Sequence, residues 1–395
     1  MSDPESRVGP RGLRRGAALT LVFAGVLATG AATGALPRGD QREPRVHTRS
    51  VAATADHDAV AEAAADAVAD GKSGTEAAEE VVSRSGDRWG AVYDQREYQE
   101  FEQALDGTYT GVGLAARRSS DGRVAVARVQ PGSPAARADI RPGDLLSTVD
   151  GRRVDRMPVS DVVALLRGDR TGAKAGSTVR LGVRRGEATR TETLRRARLA
   201  VESVTVRPVA AERSGPSGAV LIEVGSFTKG SGAAVREAVR EAPPGAGVLL
   251  DLRGNPGGLV TEAVTAASAF LDGGLVATYD VHGEQRALYA RSGGDTERPV
   301  VVLVDGGTMS AAELVTGALQ DRGRAVTVGS RTFGKGSVQM PSRLAGGLVA
   351  ELTVGHYRTP AGHGVDGEGI TPDLVVTSRA RERAETVLGG LGGGS

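Results

Sequence analysis

Two side chains in this sequence could do chemistry together without help from a histidine. Ser310 lies in Asp305-Gly306-Gly307-Thr308-Met309-Ser310-Ala311-Ala312-Glu313, and Lys335 follows 25 residues later in Thr332-Phe333-Gly334-Lys335-Gly336. A hydroxyl opening a helix and an amine in a glycine-rich turn can act as nucleophile and general base. An amine with the ordinary pKa of about 10.4 is protonated at neutral pH, so burial must favour its neutral form. The pair has meaning only if the fold brings it together. Taken singly, a serine at that position is also a helix cap, and a lysine is also a surface charge.

A third string, Asp251-Leu252-Arg253-Gly254-Asn255-Pro256-Gly257-Gly258, follows the apolar run Gly247–Leu252 and opens a helix. Its glycines leave backbone N–H groups pointing outward, an anion cradle at a helix start. Gln339 lies four residues beyond Lys335. Gly329–Lys335 also matches the first seven positions of a phosphate-binding loop. That motif needs Ser or Thr directly after the lysine and a helix behind it. Gly336 has no hydroxyl, and Val338-Gln339-Met340-Pro341 does not read as a helix. Of the five histidines, His356 could complete a Ser-His-Asp set. The others fall in polar or linker contexts.

Those strings need elements to hold them. From about Val204 the pattern alternates: strand Val220–Phe227, helix Gly232–Glu241, strand Gly247–Leu252, helix Val260–Leu271, strand Pro299–Val304, helix Ala311–Gln320, strand Ala325–Val328. Such alternation predicts βαβ units with helices covering a sheet. Val349–Tyr357, Leu374–Val376 and a helix from Ser378 close the region, with Gly389–Ser395 as flexible tail. Upstream, Thr54–Leu105 is mostly helical but poor in large apolar residues, so it must dock on the main body or on a second copy. Between them, 107–197 reads as strand, short helix, strand, helix, strand. The fold class is α/β and multi-domain: ββα-type repeats around a catalytic sheet, an inserted β-rich domain, and a helical N-terminal segment.

Composition sets the outer limits. The protein of 395 residues has no cysteine, which removes thiol nucleophiles, disulfides and thiolate metal sites. A net charge of +1 gives no reason to expect a nucleic-acid partner. Arg11, Arg14 and Arg15 precede Gly16–Leu36, a run without charge. Basic flank and apolar run predict a secretory signal or single membrane anchor over 1–36, with the bulk of the protein outside the cytoplasm. A polar linker, 37–53, follows.

The strings Gln130-Pro131-Gly132-Ser133-Pro134-Ala135-Ala136, Gly143-Asp144-Leu145-Leu146 and Val149-Asp150-Gly151 resemble those of bacterial protease-type PDZ domains. Such domains capture the C-termini of other polypeptides by strand addition beside a loop whose amides hold the carboxylate. Here that loop would be Tyr109, Thr110, Gly111, Val112 and Gly113. With Thr359-Pro360-Ala361-Gly362 and Gly369-Ile370-Thr371-Pro372-Asp373, the whole resembles the C-terminal processing (tail-specific) serine proteases of bacteria and plastids. The resemblance implies Ser310 as nucleophile, Lys335 as general base and Gln339 as the residue orienting the lysine. It implies an oxyanion hole from the N–H groups of Ala311 and Gly257. It also implies protein substrates with free C-terminal tails, no cofactor or metal, and a homodimer through the 54–105 helices; the insertion of the PDZ domain between the helical segment and the catalytic sheet leads us to expect that it gates the site. Domains are then expected at 54–105 (helical), 107–197 (PDZ), 204–378 (catalytic) and 379–395 (C-terminal helix and tail). Family members often carry Asn at the place of Asp305 and Ser at that of Ala312. A PDZ scaffold that binds tails without cutting them is the alternative.

Overall fold

The computed structural model describes residues 54–392 apart from 120, 156, 169–172, 211–217 and 282–283. The expected signal or anchor over Gly16–Leu36 and the linker after it lie outside the described residues. Among the described residues no helix is long and apolar enough to cross a membrane.

In sequence order the elements are α1 (His57–Ala69), α2 (Gly74–Ser85), β1 (Ala91–Tyr93), α3 (Gln95–Leu105), β2 (Thr108–Gly111), β3 (Leu114–Arg118), β4 (Val124–Val129), α4 (Pro134–Arg137), β5 (Leu145–Val149), β6 (Arg152–Arg153), α5 (Val159–Arg167), β7 (Thr178–Arg185) and β8 (Ala188–Arg195). They continue with β9 (Ala197–Ala200), β10 (Val204–Val209), β11 (Ala219–Val224), α6 (Ser231–Glu241), β12 (Gly247–Asp251), α7 (Val260–Ala267), β13 (Leu275–Val281), β14 (Glu284–Tyr289), β15 (Val300–Val304) and α8 (Ala311–Asp321). Last come β16 (Val326–Gly329), β17 (Ser337–Arg343), β18 (Val349–Arg358), β19 (Leu374–Val375) and α9 (Ala380–Gly392).

Two compact units result. Of the described residues, one comprises those within 113–168 and 178–194; the other is built on those within 54–112, 173–177 and 195–392. In the first, β3-β4-β5-β7-β8 form one sheet, with β6 on β5. Val126, Leu146, Val162, Leu181 and Val183 fill its core. The acid of the Gly-Asp pair is structural here. Asp144, almost fully buried, receives two hydrogen bonds from Arg185, at 2.7 and 2.8 Å.

The second unit is organised by the sheet β10-β11-β12-β15-β16-β19. Apart from the antiparallel β10, its neighbours run parallel. Both faces are covered. Ile222, Leu250 and Val302 meet α6, α7 and α8 on one side, while Leu221, Leu249 and Leu303 meet α9 on the other. Burial on both faces explains why β12 and β15 read as unbroken apolar runs. α9 continues to Gly392, so Gly389–Gly392 is helix and not the expected tail; Leu388, 1 % exposed, pins it to the sheet. The N-terminal helices dock on the main body: Val60, Ala64, Ala78 and Val82 pack with Leu344, Leu348, Ala350 and Leu352. β1 pairs with β18, which also pairs with β13 and β17 in a second sheet.

Candidate active site

The three strings come together where the backbone leaves the carboxyl ends of neighbouring parallel strands, the usual position of sites in open α/β sheets. β12 runs into Leu252–Gly258, β15 into Asp305–Ser310, and β16 into Ser330–Gly336. The first two loops are laced together. Asp305 Oδ1 accepts from Gly254 N and Gly307 N, each at 2.8 Å; Thr308 Oγ1 donates to Leu252 O at 2.9 Å; Met309 N donates to Asn255 O at 2.9 Å.

Ser310 has φ 52° and ψ −119°. A non-glycine residue held at such a positive φ costs about 1–3 kcal/mol and needs surroundings that enforce it. A sharp strand-to-helix turn of this kind lifts a serine hydroxyl clear of the backbone. The enforcing contacts are local: Ser310 N donates to Glu313 Oε2 at 2.9 Å, and the Tyr357 hydroxyl donates to Ser310 O at 2.9 Å. Behind Ser310, Ala311 to Leu319 are buried, so the helix cannot shift without disturbing the core.

Glu313 joins Ser310 to Lys335. Fully buried, it accepts four hydrogen bonds: from Ser310 N and Lys335 N on Oε2, both 2.9 Å, and from Thr332 Oγ1 (2.5 Å) and Gly334 N (2.7 Å) on Oε1. Burial pushes its carboxyl up from the ordinary range, and the donated hydrogen bonds counter that. Sequence reasoning alone misses this residue, which reads there as one letter of a string. Its signal is an acidic residue on the third position of a helix otherwise apolar at nearly every buried site.

Lys335 is largely withdrawn from water. Burial lowers its pKa, while Glu351, Asp366, Asp87 and Glu313 act in the opposite sense. Glu351 is half-buried, and that loss of water raises its carboxyl to about 7. Nζ of Lys335 lies 5.1 Å from the centre of the Trp89 ring. Gln339 sits on β17, where its Nε2 donates to Ser337 Oγ at 2.7 Å and Thr353 Oγ1 at 3.4 Å; its hydrogen bonds among the described residues do not go to Lys335.

The glycine turn lies against Ser310. A Cβ on Gly257, φ 99°, would stand 2.9 Å from Ser310 Cβ and 3.1 Å from Ala311 N. Only glycine leaves that space open. Gly257 N donates to Asn255 Oδ1 at 2.9 Å, and Asn255, fully buried, donates to Val224 O at 2.8 Å.

Other expectations resolve differently. Tyr109, Thr110 and Gly111 belong to strand β2, paired with β9 in the second unit, and only Val112 and Gly113 connect to the first unit. His356 Nε2 lies 3.7 Å from Asp366 Oδ2, so its near partner is a carboxylate and not the serine. Lys335 leads into strand β17 and not into a helix, which removes the phosphate-loop alternative. Gln320 and Asp373 meet at Thr327, fixing β16 against the residues near β19.

Residues 219–376 match the model of peptidase family S41, and residues 125–185 match a PDZ domain. The sequence is 34% identical over 310 residues to carboxyl-terminal-processing peptidase 2, chloroplastic, of Arabidopsis thaliana, covering 75% of this protein and 59% of that one. It is 30% identical over 324 residues to "Probable CtpA-like serine protease" of Staphylococcus haemolyticus, covering 78% and 61%. The match therefore spans about three-fifths of the length of these curated relatives. Among solved structures, the photosystem II D1 C-terminal processing protease is similar with a TM-score of 0.50 and 31% identity, over 80% of this protein and 86% of that one.

Proposed function

Since the protein belongs to peptidase family S41, we propose that it is a serine endopeptidase that cuts polypeptides near their C-termini, with Ser310 as nucleophile and Lys335 as general base. The observation that carries the proposal is the single buried carboxylate, Glu313, bonded to the backbone of both residues. It makes the spacing between serine and lysine a property of one rigid network.

Each step then has an owner. Burial supplies Lys335 with a neutral fraction at working pH, and the amine takes the Ser310 proton as the oxygen attacks a peptide carbonyl. The oxyanion is received by Ala311 N, which begins α8 and has no partner inside the helix. The second donor is the Gly257 amide, shared with Asn255 Oδ1. Losing one such donor costs about 2.7–4 kcal/mol of barrier. Lys335 returns the proton to the leaving amine, and water hydrolyses the acyl-enzyme. Gln339 acts on the lysine from β17 through the Ser337 and Thr353 hydroxyls.

The PDZ domain selects substrates by their free C-terminal tails, using Val112–Gly113 and the strand after it, and gates the site when a tail is bound. A protein lacking residues 113–194 tests this: unchanged rate and selectivity on tailed and untailed substrates would remove the gate. The Arg11, Arg14 and Arg15 flank before Gly16–Leu36 supports export, with that run as signal or anchor. Fractionation of cells expressing the protein with and without it is the check. The helices of 54–105 form the homodimer contact, tested by sedimentation.

The primary experiment is cleavage of an unfolded protein with an apolar tail by the full-length parent, Ser310→Ala and Lys335→Ala. Turnover by the parent alone is expected, unaffected by chelators. Tail capture without cleavage by the parent would make it a scaffold. Retained activity in Lys335→Ala would move the base elsewhere, with His356 first in line.

A further inference from the structure

The N-terminal segment sends two side chains to the lysine, neither of them in the strings that mark the site. Asp87, 6 % exposed, lies in the link between α2 and β1. Its Oδ1 accepts from Trp89 N at 3.1 Å and Gly90 N at 2.9 Å, which folds the link into a tight turn. The same carboxylate accepts from Thr353 Oγ1 at 2.8 Å and, on Oδ2, from Thr353 N at 2.9 Å. Thr353 faces Gln339 across the β17–β18 pair and accepts from its Nε2. One buried acid thus fixes both the turn and the strand residue beside Gln339.

The turn presents the indole to the site. The Trp89 ring lies 5.1 Å from Lys335 Nζ and 5.6 Å from the ring of Phe333, two residues before the lysine. The Arg88 guanidinium covers both rings, at 4.7 and 6.0 Å. The indole therefore stands as a wall between the lysine and solvent.

We propose that Trp89 and Asp87 are positioning residues for Lys335: the indole closes the lysine's pocket and directs its amine, and Asp87 holds that wall and, through Thr353, Gln339. The proposal rests on the reading of Lys335 as general base. Two opposed influences follow. An aromatic face attracts an ammonium, whereas excluding water disfavours it. The acidic groups around the lysine are Glu351 on β18, Asp87 bonded to Thr353 of that strand, Asp366, and Glu313 on α8; the Arg88 guanidinium lies 4.7 Å from the centre of the indole. Burial is the largest influence on Lys335 and lowers its pKa, so the net effect of the wall is to favour the neutral amine.

The test reads Lys335 directly. Pulse acetylation with acetic anhydride, followed by mass spectrometry over a pH series, gives the midpoint at which the amine becomes reactive, with or without hydrolysis. In the full-length protein with Ser310→Ala, adding Trp89→Ala is expected to raise that midpoint by about one pH unit, a tenfold loss of free amine at fixed pH. With Ser310 restored, the acid limb of kcat/KM should move up alike, kcat at neutral pH fall about tenfold and KM stay within twofold. Trp89→Phe should recover most of it, and Trp89→Gln, which lets water reach the amine while filling more of the space, should shift the midpoint as alanine does and serves if the alanine variant does not fold. An unmoved midpoint in folded Trp89→Ala or Trp89→Gln, or a Trp89→Phe midpoint shifted as far as theirs, would overturn the proposal. A shifted midpoint in a protein that hydrolyses nothing would leave the wall standing and remove the peptidase reading instead.

Discussion

Replacing Glu313 by glutamine changes one atom of the network and should cost more than that implies. All four partners of the carboxylate donate to it. A glutamine has one oxygen, so its NH2 must point either at Ser310 N and Lys335 N or at Gly334 N and Thr332 Oγ1. Thr332 Oγ1 already accepts from Ile370 N at 2.7 Å, which limits its freedom to turn. Either way two buried donors lose their acceptor, at about 1–3 kcal/mol each, or about 2–6 kcal/mol in all. Trp89 is the only tryptophan of the sequence and lies in the same unit, so its fluorescence reports that unit's unfolding in urea. The midpoint should fall with little change in slope. Hydrolysis, measured per folded molecule, should fall at least about 100-fold, because small misplacements of reacting groups are that costly. A loss of stability under about 1 kcal/mol with near-parental turnover would refute the bridging role of Glu313.

Other substitutions separate the remaining parts. Gly257→Ala puts a methyl group 2.9 Å from Ser310 Cβ at a φ of 99°; single-turnover acylation should slow by about 10²–10³ as the oxyanion donors are obstructed. Glu351→Gln tests the half-buried acid whose charge acts on the lysine. Its carboxyl, raised by burial to about 7 from 4.5, binds a proton more tightly in the folded state, so parental stability declines as pH rises through that interval. The glutamine variant should lack this decline and gain up to about 3 kcal/mol on the parent by about pH 8, read from urea midpoints against pH. Lys335 would also lose its foremost stabilising charge, so the acid limb of kcat/KM should move to lower pH. Tyr357→Phe removes the hydroxyl that holds Ser310 O and should cost about 1 kcal/mol by thermal unfolding.

Much of this was legible in the residues. Apolar runs of five or six residues between glycine-rich loops identified β11, β12 and β15, because strands buried on both faces must be apolar throughout. The Asp251–Gly258 and Ser310 strings were visible because a strand-to-helix turn needs glycine and a small polar residue whatever surrounds it, and the Lys335 string because its glycines mark a tight turn. β13, β14 and β17 were not. Glu284–Tyr289 is mostly polar, and Ser337–Arg343 contains Pro341, which a strand tolerates at a sheet edge. Their pairing with distant strands defines them, and pairing leaves no local mark.

By itself the sequence determined the chemical kinds present: a serine at a helix start, a lysine among glycines, amides free to meet an anion, and no thiol. The tertiary structure alone decided how they are held. It placed Glu313 between Ser310 and Lys335, and brought Asp87 to Thr353 across 266 residues of sequence. Local propensity records what a residue can do with its neighbours in sequence. Whether a carboxylate is solvated on a helix or buried beneath four donors depends on which loops the sheet sets side by side.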